Sequence, residues 1–142
     1  MKKLITLCFL FVGCFLVQGQ SIKDNINWLK DQKKNIDNIS ANGITDGKLE
    51  LTDSFIKIFS KKNVKNEEQL IYWNQIEKIN CILFSADRCT ITITRHEINE
   101  NDYRNWISIS YNGNYKVMLD KLSNMTKLNG KKIEVTLVDY KN

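Results

Sequence analysis

The stretch "GKLELTDSFIKIFS", residues 47–60, sets apolar side chains at odd positions in its first half and at even positions in its second. Leu49 and Leu51 belong to the first set, Ile56 and Ile58 to the second. A strand presents alternate residues to opposite faces, so one continuous strand would turn the isoleucines away from the leucines. A hairpin that reverses between Asp53 and Ser54 removes the conflict. Cross-strand partners then sum to a constant: Thr52 faces Phe55, Leu51 faces Ile56, Glu50 faces Lys57 and Leu49 faces Ile58. All four apolar side chains fall on one face. The other face pairs Glu50 with Lys57, an opposite-charge pair of the kind that contributes about 0.2–1 kcal/mol. Asp-Ser is a weaker two-residue turn than Asn-Gly, and a four-residue loop of the same parity serves equally.

The same logic extends along the chain. In "INCILFSADRCTITITRHE", Ile79, Cys81 and Leu83 share a parity with Cys89, Ile91 and Ile93, while Thr90, Thr92 and Thr94 take the other face. A loop of odd length around Phe84 to Ala86 places Cys81 opposite Cys89. "NWISISYNG" gives Ile107, Ile109 and Tyr111 inward, with Ser108 and Ser110 outward. "QLIYW" reads as a short strand and "NQIEKI" as a connecting turn. These are antiparallel strands, each with one wet face.

Two helices frame them. "SIKDNINWLKDQKKNIDNISANG" spaces Ile22, Ile26, Leu29, Ile36 and Ile39 roughly as a helix does, with Ser21 and Asp24 as a capping box and Asn42-Gly43 as its stop. "NYKVMLDKLSNMTKLNG" puts Tyr115, Met118, Leu119, Leu122 and Met125 on one face and closes at Asn129-Gly130. A last strand, "KIEVTLVD", alternates Ile133, Val135 and Leu137. The expected fold is α+β: an antiparallel sheet or partly open barrel plugged by the helix Tyr115 to Leu128, with the N-terminal helix packed outside.

"MKKLITLCFLFVGCFLVQGQS" opens the chain with two lysines and an apolar run from Leu4 to Val17. It is expected to be a secretory signal peptide over residues 1–19, cleaved before Gln20, which leaves 20–142 as a single domain. A membrane anchor would need roughly 18 or more apolar residues. A lipoprotein Cys14 would be followed by a polar chain, whereas Phe15-Leu16-Val17 continues the run. The chain is therefore expected to be exported, to the periplasm or beyond, with no stable membrane insertion after cleavage. Of the formal charge of +5, Lys2 and Lys3 carry two, leaving about +3 and no charge argument for nucleic acid. The cluster Lys61, Lys62 and Lys65 reads as a solvated loop.

"GKLELTDSFIKI" followed by "QLIYWNQIEKI" resembles the opening of PH-like domains of the GRAM and bacterial PH type. Those begin with a Gly-apolar-x-apolar-Thr hairpin and a strand that leads to an Ile-x-x-Ile turn; the matching positions are Gly47, Leu49, Leu51, Thr52, Ile76 and Ile79. The span Gly47 to Gly130 also looks like small exported Bacteroidetes proteins. The resemblance implies an antiparallel, helix-capped scaffold. It does not bring a phosphoinositide site, because the opening turn carries Asp53 and Ser54 where lipid-binding relatives carry basic residues. The N-terminal helix and final strand are extra to a PH core.

Chemistry-bearing residues are few. Cys81 and Cys89 are the two cysteines of the expected mature chain, and an oxidising compartment permits a disulfide between them. Two buried thiols packed as small hydrophobes are the other reading, and both stay open. His96 begins "HEINE", but no second histidine follows and the segment ends a strand, so no metal site is expected. Glu97, Glu100 and Asp102, with Arg104 beside them, offer acids for a hydrolase-like enzyme only if a cleft brings them together. Tyr72, Trp73 and Trp106 are candidates for a ligand or partner surface, against burial in the core. By strand parity Trp106 shares the Ser108/Ser110 face. The reading is an exported, non-catalytic binding or interaction module with no cofactor; its alternative is a small secreted hydrolase.

Overall fold

The computed structural model describes residues 21–41, 43–60, 68–95 and 106–139. Residues 21–31 are helical (α1), and a 3-10 turn, Gln32–Asn35, leads into strand β1, Ile36–Ala41. Strands β2 (Gly47–Leu51), β3 (Phe55–Ser60) and β4 (Glu68–Tyr72) follow, then a 3-10 turn at Trp73–Gln75. Strands β5 (Ile76–Leu83), β6 (Arg88–Arg95) and β7 (Trp106–Asn112) precede helix α2 (Tyr115–Leu128) and strand β8 (Glu134–Asp139). The strands form a five-stranded sheet in the order β1-β7-β6-β5-β8 and a three-stranded sheet in the order β2-β3-β4. All pairings are antiparallel except β5 with β8. Among the described residues no barrel closes; a single bridge, Ala41 to Ile44, makes the corner between the sheets.

The hairpin that decided the reading pairs Leu49 with Ile58, Glu50 with Lys57 and Leu51 with Ile56. Its turn is held by Thr52, whose N–H donates to Phe55 O at 3.0 Å while its hydroxyl accepts from Phe55 N–H at 3.1 Å. Leu49, Leu51, Ile56 and Ile58 are all buried in one core with the inner faces of both sheets. On the outer face Lys57 bonds Glu68 at 2.7 Å, and that hydrogen bond raises the ammonium pKa; Glu50 adds a smaller attraction. Gly47 is needed for a close approach. A Cβ there would lie 2.6 Å from Ile58 Cγ2 and 3.3 Å from Ile44 Cγ2. Gly47→Ala is therefore expected to destabilise the fold by about 1–3 kcal/mol, read from urea denaturation.

α2 runs over Tyr115–Leu128 as expected and buries Met118, Leu119, Leu122 and Met125. The Asn114 side chain caps its start by accepting from Val117 N–H at 3.2 Å. At the other end Asn129 Nδ2 donates to Met125 O and to Asp53 O, tying the helix to the turn of the opening hairpin.

Three expectations need correction. The N-terminal helix does not reach Gly43: the described helix ends at residue 31, and Ile36 and Ile39 belong to β1. Their three-residue spacing comes from a bulge between Ile36 and Asn38, where β1 shifts register against β7. A bulge adds one residue to one strand, so a strand period of two becomes three. "NQIEKI" is likewise not all turn. Ile76 and Ile79 both lie in β5, on either side of a second bulge between Ile76 and Lys78. The third correction concerns the cysteines: Cys89 faces Leu83 and Cys81 faces Ile91. Phe84 and Ser85 N–H both donate to Arg88 O, and Ser85 Oγ donates to Asp87 Oδ1, which centres the reversal on Ala86.

Tyr111 fixes β7 to the first 3-10 turn. Its ring is buried, and its hydroxyl donates to Gln32 Oε1 at 2.8 Å. Burial pushes the phenol's pKa up, against a smaller lowering by Asn35. The unfolded chain then gives up this proton first. Stability from Tyr111 is complete below about pH 10 and falls as pH rises above it. Urea midpoints are expected to drop as pH rises above about 10, and less steeply in Tyr111→Phe.

Candidate functional site

Each strand of the five-stranded sheet sends alternate side chains to its outer face, and the observed registers line these up in rows. Ser40 pairs with Ser108, Ser108 with Thr92, Thr92 with Asn80, and Asn80 with Thr136. One row therefore crosses all five strands with a hydroxyl or amide at every position. At about 4.8 Å per strand it spans roughly 19 Å. The next row runs Asn38, Ser110, Thr90, Ile82 and Val138; on the other side lie Trp106, Thr94, Lys78 and Glu134.

The charges on this face are held at its margins. Lys78 Nζ lies 3.4 Å from Glu134 Oε1, and Thr136 Oγ1 donates to the same carboxylate at 3.0 Å. The Thr136 hydrogen bond, then Lys78, hold the Glu134 pKa below the usual carboxylate range. Arg88 stands at the far end. The side chains of Ser40, Ser108, Thr92 and Asn80 are half-buried and make no hydrogen bond to another described residue.

Aromatic rings flank the rows. Trp106 is 39% exposed at one end, on the Ser108/Ser110 face as its parity predicts. Phe84 is 54% exposed at the other, beside a concavity of about 300 Å³ lined by Phe84, Arg88, Thr90 and Ser110 together with Cys89. The remaining aromatic candidates separate. Tyr72 is 44% exposed, stacked edge-on against Phe55 on the three-stranded sheet. Trp73 is not a surface residue: it is 0% exposed, and its Nε1–H donates to Thr52 O at 2.9 Å. The 3-10 turn that follows β4 swings its ring beneath the hairpin, which strand alternation alone does not reveal.

A larger groove, about 420 Å³, lies where β1 and β2 diverge from their corner. Ile36, Ile39, Leu49 and Phe59 line it beside Lys33, Asp37, Asp46 and Lys48. The four charged side chains are exposed at its rim.

Cys81 and Cys89 are free thiols, both buried and hydrogen-bonded to each other. Their diagonal register sets them farther apart than directly opposed partners. The hydrogen bond to Cys89, then burial, hold the Cys81 proton tightly. That same bond lowers the Cys89 pKa against the effect of burial. His96, Glu97, Glu100, Asp102 and Arg104 lie outside the described residues, as do Lys61, Lys62, Lys65 and residues 1–20. Among the described residues no group of three or more His, Cys, Asp or Glu could hold a metal ion, and no helix is long and apolar enough to cross a membrane.

No protein-family model matches the chain, and no match is found among curated proteins.

Proposed function

We propose that this chain is an exported, non-catalytic binding module whose outer five-stranded face takes a neutral, polyhydroxylated ligand such as a polysaccharide. The observation that carries this reading is the row Ser40–Ser108–Thr92–Asn80–Thr136. Hydroxyls and amides each donate and accept, which matches the alternating donors and acceptors of a sugar. A charged ligand would want fixed counter-charges, and among the described residues the charges in the rows of this face are the Lys78–Glu134 pair, which face each other, and Arg88 at the far end. Trp106 supplies an apolar plate against which the C–H face of a sugar ring stacks while its hydroxyls reach the row. The scaffold is proposed to be PH-like. Support comes from the order of a three-stranded sheet, the antiparallel β5, β6 and β7, and the capping α2; α1, β1 and β8 are additions to that plan.

Affinity electrophoresis of the full chain through gels holding neutral or anionic polysaccharides tests the reading. Retardation by a neutral polymer, lost in Thr92→Glu, is expected. Retardation only by anionic polymers, or none in either gel, would overturn the ligand class.

A further inference from the structure

The two sheets end in edge strands β1 and β8, and β2 and β4. The β8 edge leaves Val135 and Leu137 exposed, so the inward alternation expected of the last strand stops at Ile133, which is partly buried against the core. β1 and β2 differ from it, because their edges form the two walls of the groove of about 420 Å³.

The hydrogen-bond alternation of an antiparallel ladder says which backbone groups enter that groove. Residues that bond one neighbour alternate with residues whose N–H and C=O point the other way. On β1, Ala41 exchanges both backbone bonds with Ile44, at 2.9 and 2.8 Å, on the groove side. Ile39, two residues earlier, therefore turns its N–H and C=O to the same side. On β2, Thr52 N–H donates to Phe55 O, so Glu50 and Lys48 bond β3 while Leu49 and Gly47 direct theirs away from it. Among the described residues no backbone bond joins β1 to β2 beyond the Ala41–Ile44 bridge. The strands still touch at Gly47, where a Cβ would lie 3.4 Å from Ile39 O. Past that level they diverge, with Leu49 on one wall and Ile36 and Ile39 on the other. The groove is a wedge, closed at Gly47.

A wedge admits the end of a chain rather than its middle, and the charges at the closed end say which end. Lys48 is exposed and has no ion-pair partner among the described residues. Asn38, level with it across the groove, presents an exposed side-chain amide. Asp46, the acid nearest the closed end, already holds an interaction. Lys33 and Asp37 stand farther out on the β1 side, one charge of each sign. An ammonium and an amide donor beside an open backbone N–H complement a carboxylate.

We propose that the groove between β1 and β2 binds the C-terminus of an extended peptide whose last side chain is aliphatic. The peptide runs antiparallel to β2 and its last residue pairs with Leu49. Its N–H donates to Leu49 O, and Leu49 N–H donates to the terminal carboxylate, which also accepts from Lys48 Nζ and Asn38 Nδ2. A residue paired with Leu49 shares its face of the sheet, so the last side chain meets Ile36 and Ile39. This site stands apart from the polysaccharide reading; the two surfaces share only Asn38.

Fluorescence anisotropy of a fluorescein-tagged hexapeptide, Gly-Ser-Gly-Ser-Thr-Leu with a free C-terminus, tests the proposal on the full chain. Saturable binding is expected, weakened about tenfold or more by amidating the C-terminus or by replacing the terminal Leu with Ser. Lys48→Glu should weaken it to a similar degree with far-UV circular dichroism unchanged, and Lys48→Arg should retain it. In the amide NMR spectrum, Leu49 N–H should shift with the free acid and stay in place with the amide. Octanoate carries a carboxylate and an apolar tail without the peptide N–H, and should compete only weakly. The proposal is overturned if the free-acid peptide does not bind saturably, or if the amidated form binds equally well. Octanoate competing as strongly as the peptide would overturn it too, by showing that the groove takes an acyl chain instead.

Discussion

Trp73→Ala is expected to cost about 3–5 kcal/mol of stability, the largest effect of any single substitution considered for this chain. A domain of this size is stable by only about 5–15 kcal/mol, so the variant should be largely unfolded in modest urea or fail to accumulate. The magnitude follows from two losses in one place. The whole indole is buried, at 0% exposure, in the core that contains the inner faces of both sheets. Its removal leaves a cavity that backbone elements on several sides cannot collapse to fill. It also strands the carbonyl of Thr52, which accepts from Nε1–H at 2.9 Å. That carbonyl sits in the hairpin turn whose neighbour, Asp53 O, is tied to the end of α2 through Asn129. Loss of Trp73 therefore loosens the join between hairpin, helix and second sheet together. Trp73→Phe separates the two terms: it retains most of the ring volume and loses the hydrogen bond, so it should cost distinctly less than Trp73→Ala. Equal costs for the two would show that packing beneath the hairpin is not what holds it.

The opening hairpin and α2 were legible because their information is local. Parity alone placed Leu49 against Ile58, and a 3.6-residue period alone placed Met118, Leu122 and Met125 on one face. Two other segments misled for one shared reason. Ile36-x-x-Ile39 read as helix and Ile76-x-x-Ile79 as turn, yet each is a bulged strand, and three-residue spacing is common to all three structures. Nothing within six residues distinguishes them; the partner strand does. The cysteine register slipped for a related cause, since the reversal at Ala86 depends on hydrogen bonds to Arg88 O that composition does not announce. The candidate face was half legible. Sequence alone put Trp106, Ser108 and Ser110 together and Thr90, Thr92 and Thr94 together. That the two sets are adjacent, and that Ser40 and Thr136 extend them, depends on β1 reaching β7 and β8 reaching β5 across long stretches of chain.

Trp106→Ala is expected to weaken binding of a neutral polysaccharide roughly 30-fold, the loss typical when a tryptophan at the energetic centre of an interface is truncated. Trp106 is 39% exposed, and its backbone carbonyl, not its ring, is what accepts from Gln69 Nε2 at 3.2 Å. Truncating the ring thus leaves that tie in place, and the fold should persist with little change in its thermal midpoint. Thr92→Val provides the complementary measurement. It keeps the shape and strand preference of the residue and deletes the hydroxyl at the middle of the row, so a smaller loss, from about 0.5–1.5 kcal/mol, is expected. The intrinsic fluorescence offers a check that needs no immobilised ligand. Trp73 is buried and Trp28 is half-buried, which leaves Trp106 as the described tryptophan most open to an ionic quencher. Iodide quenching should fall when polysaccharide is added and should be weak in Trp106→Ala from the start. If ligand binds but the quenching of Trp106 is unmoved, the sugar ring does not stack there. The binding surface would then have to be sought at the groove between β1 and β2 instead.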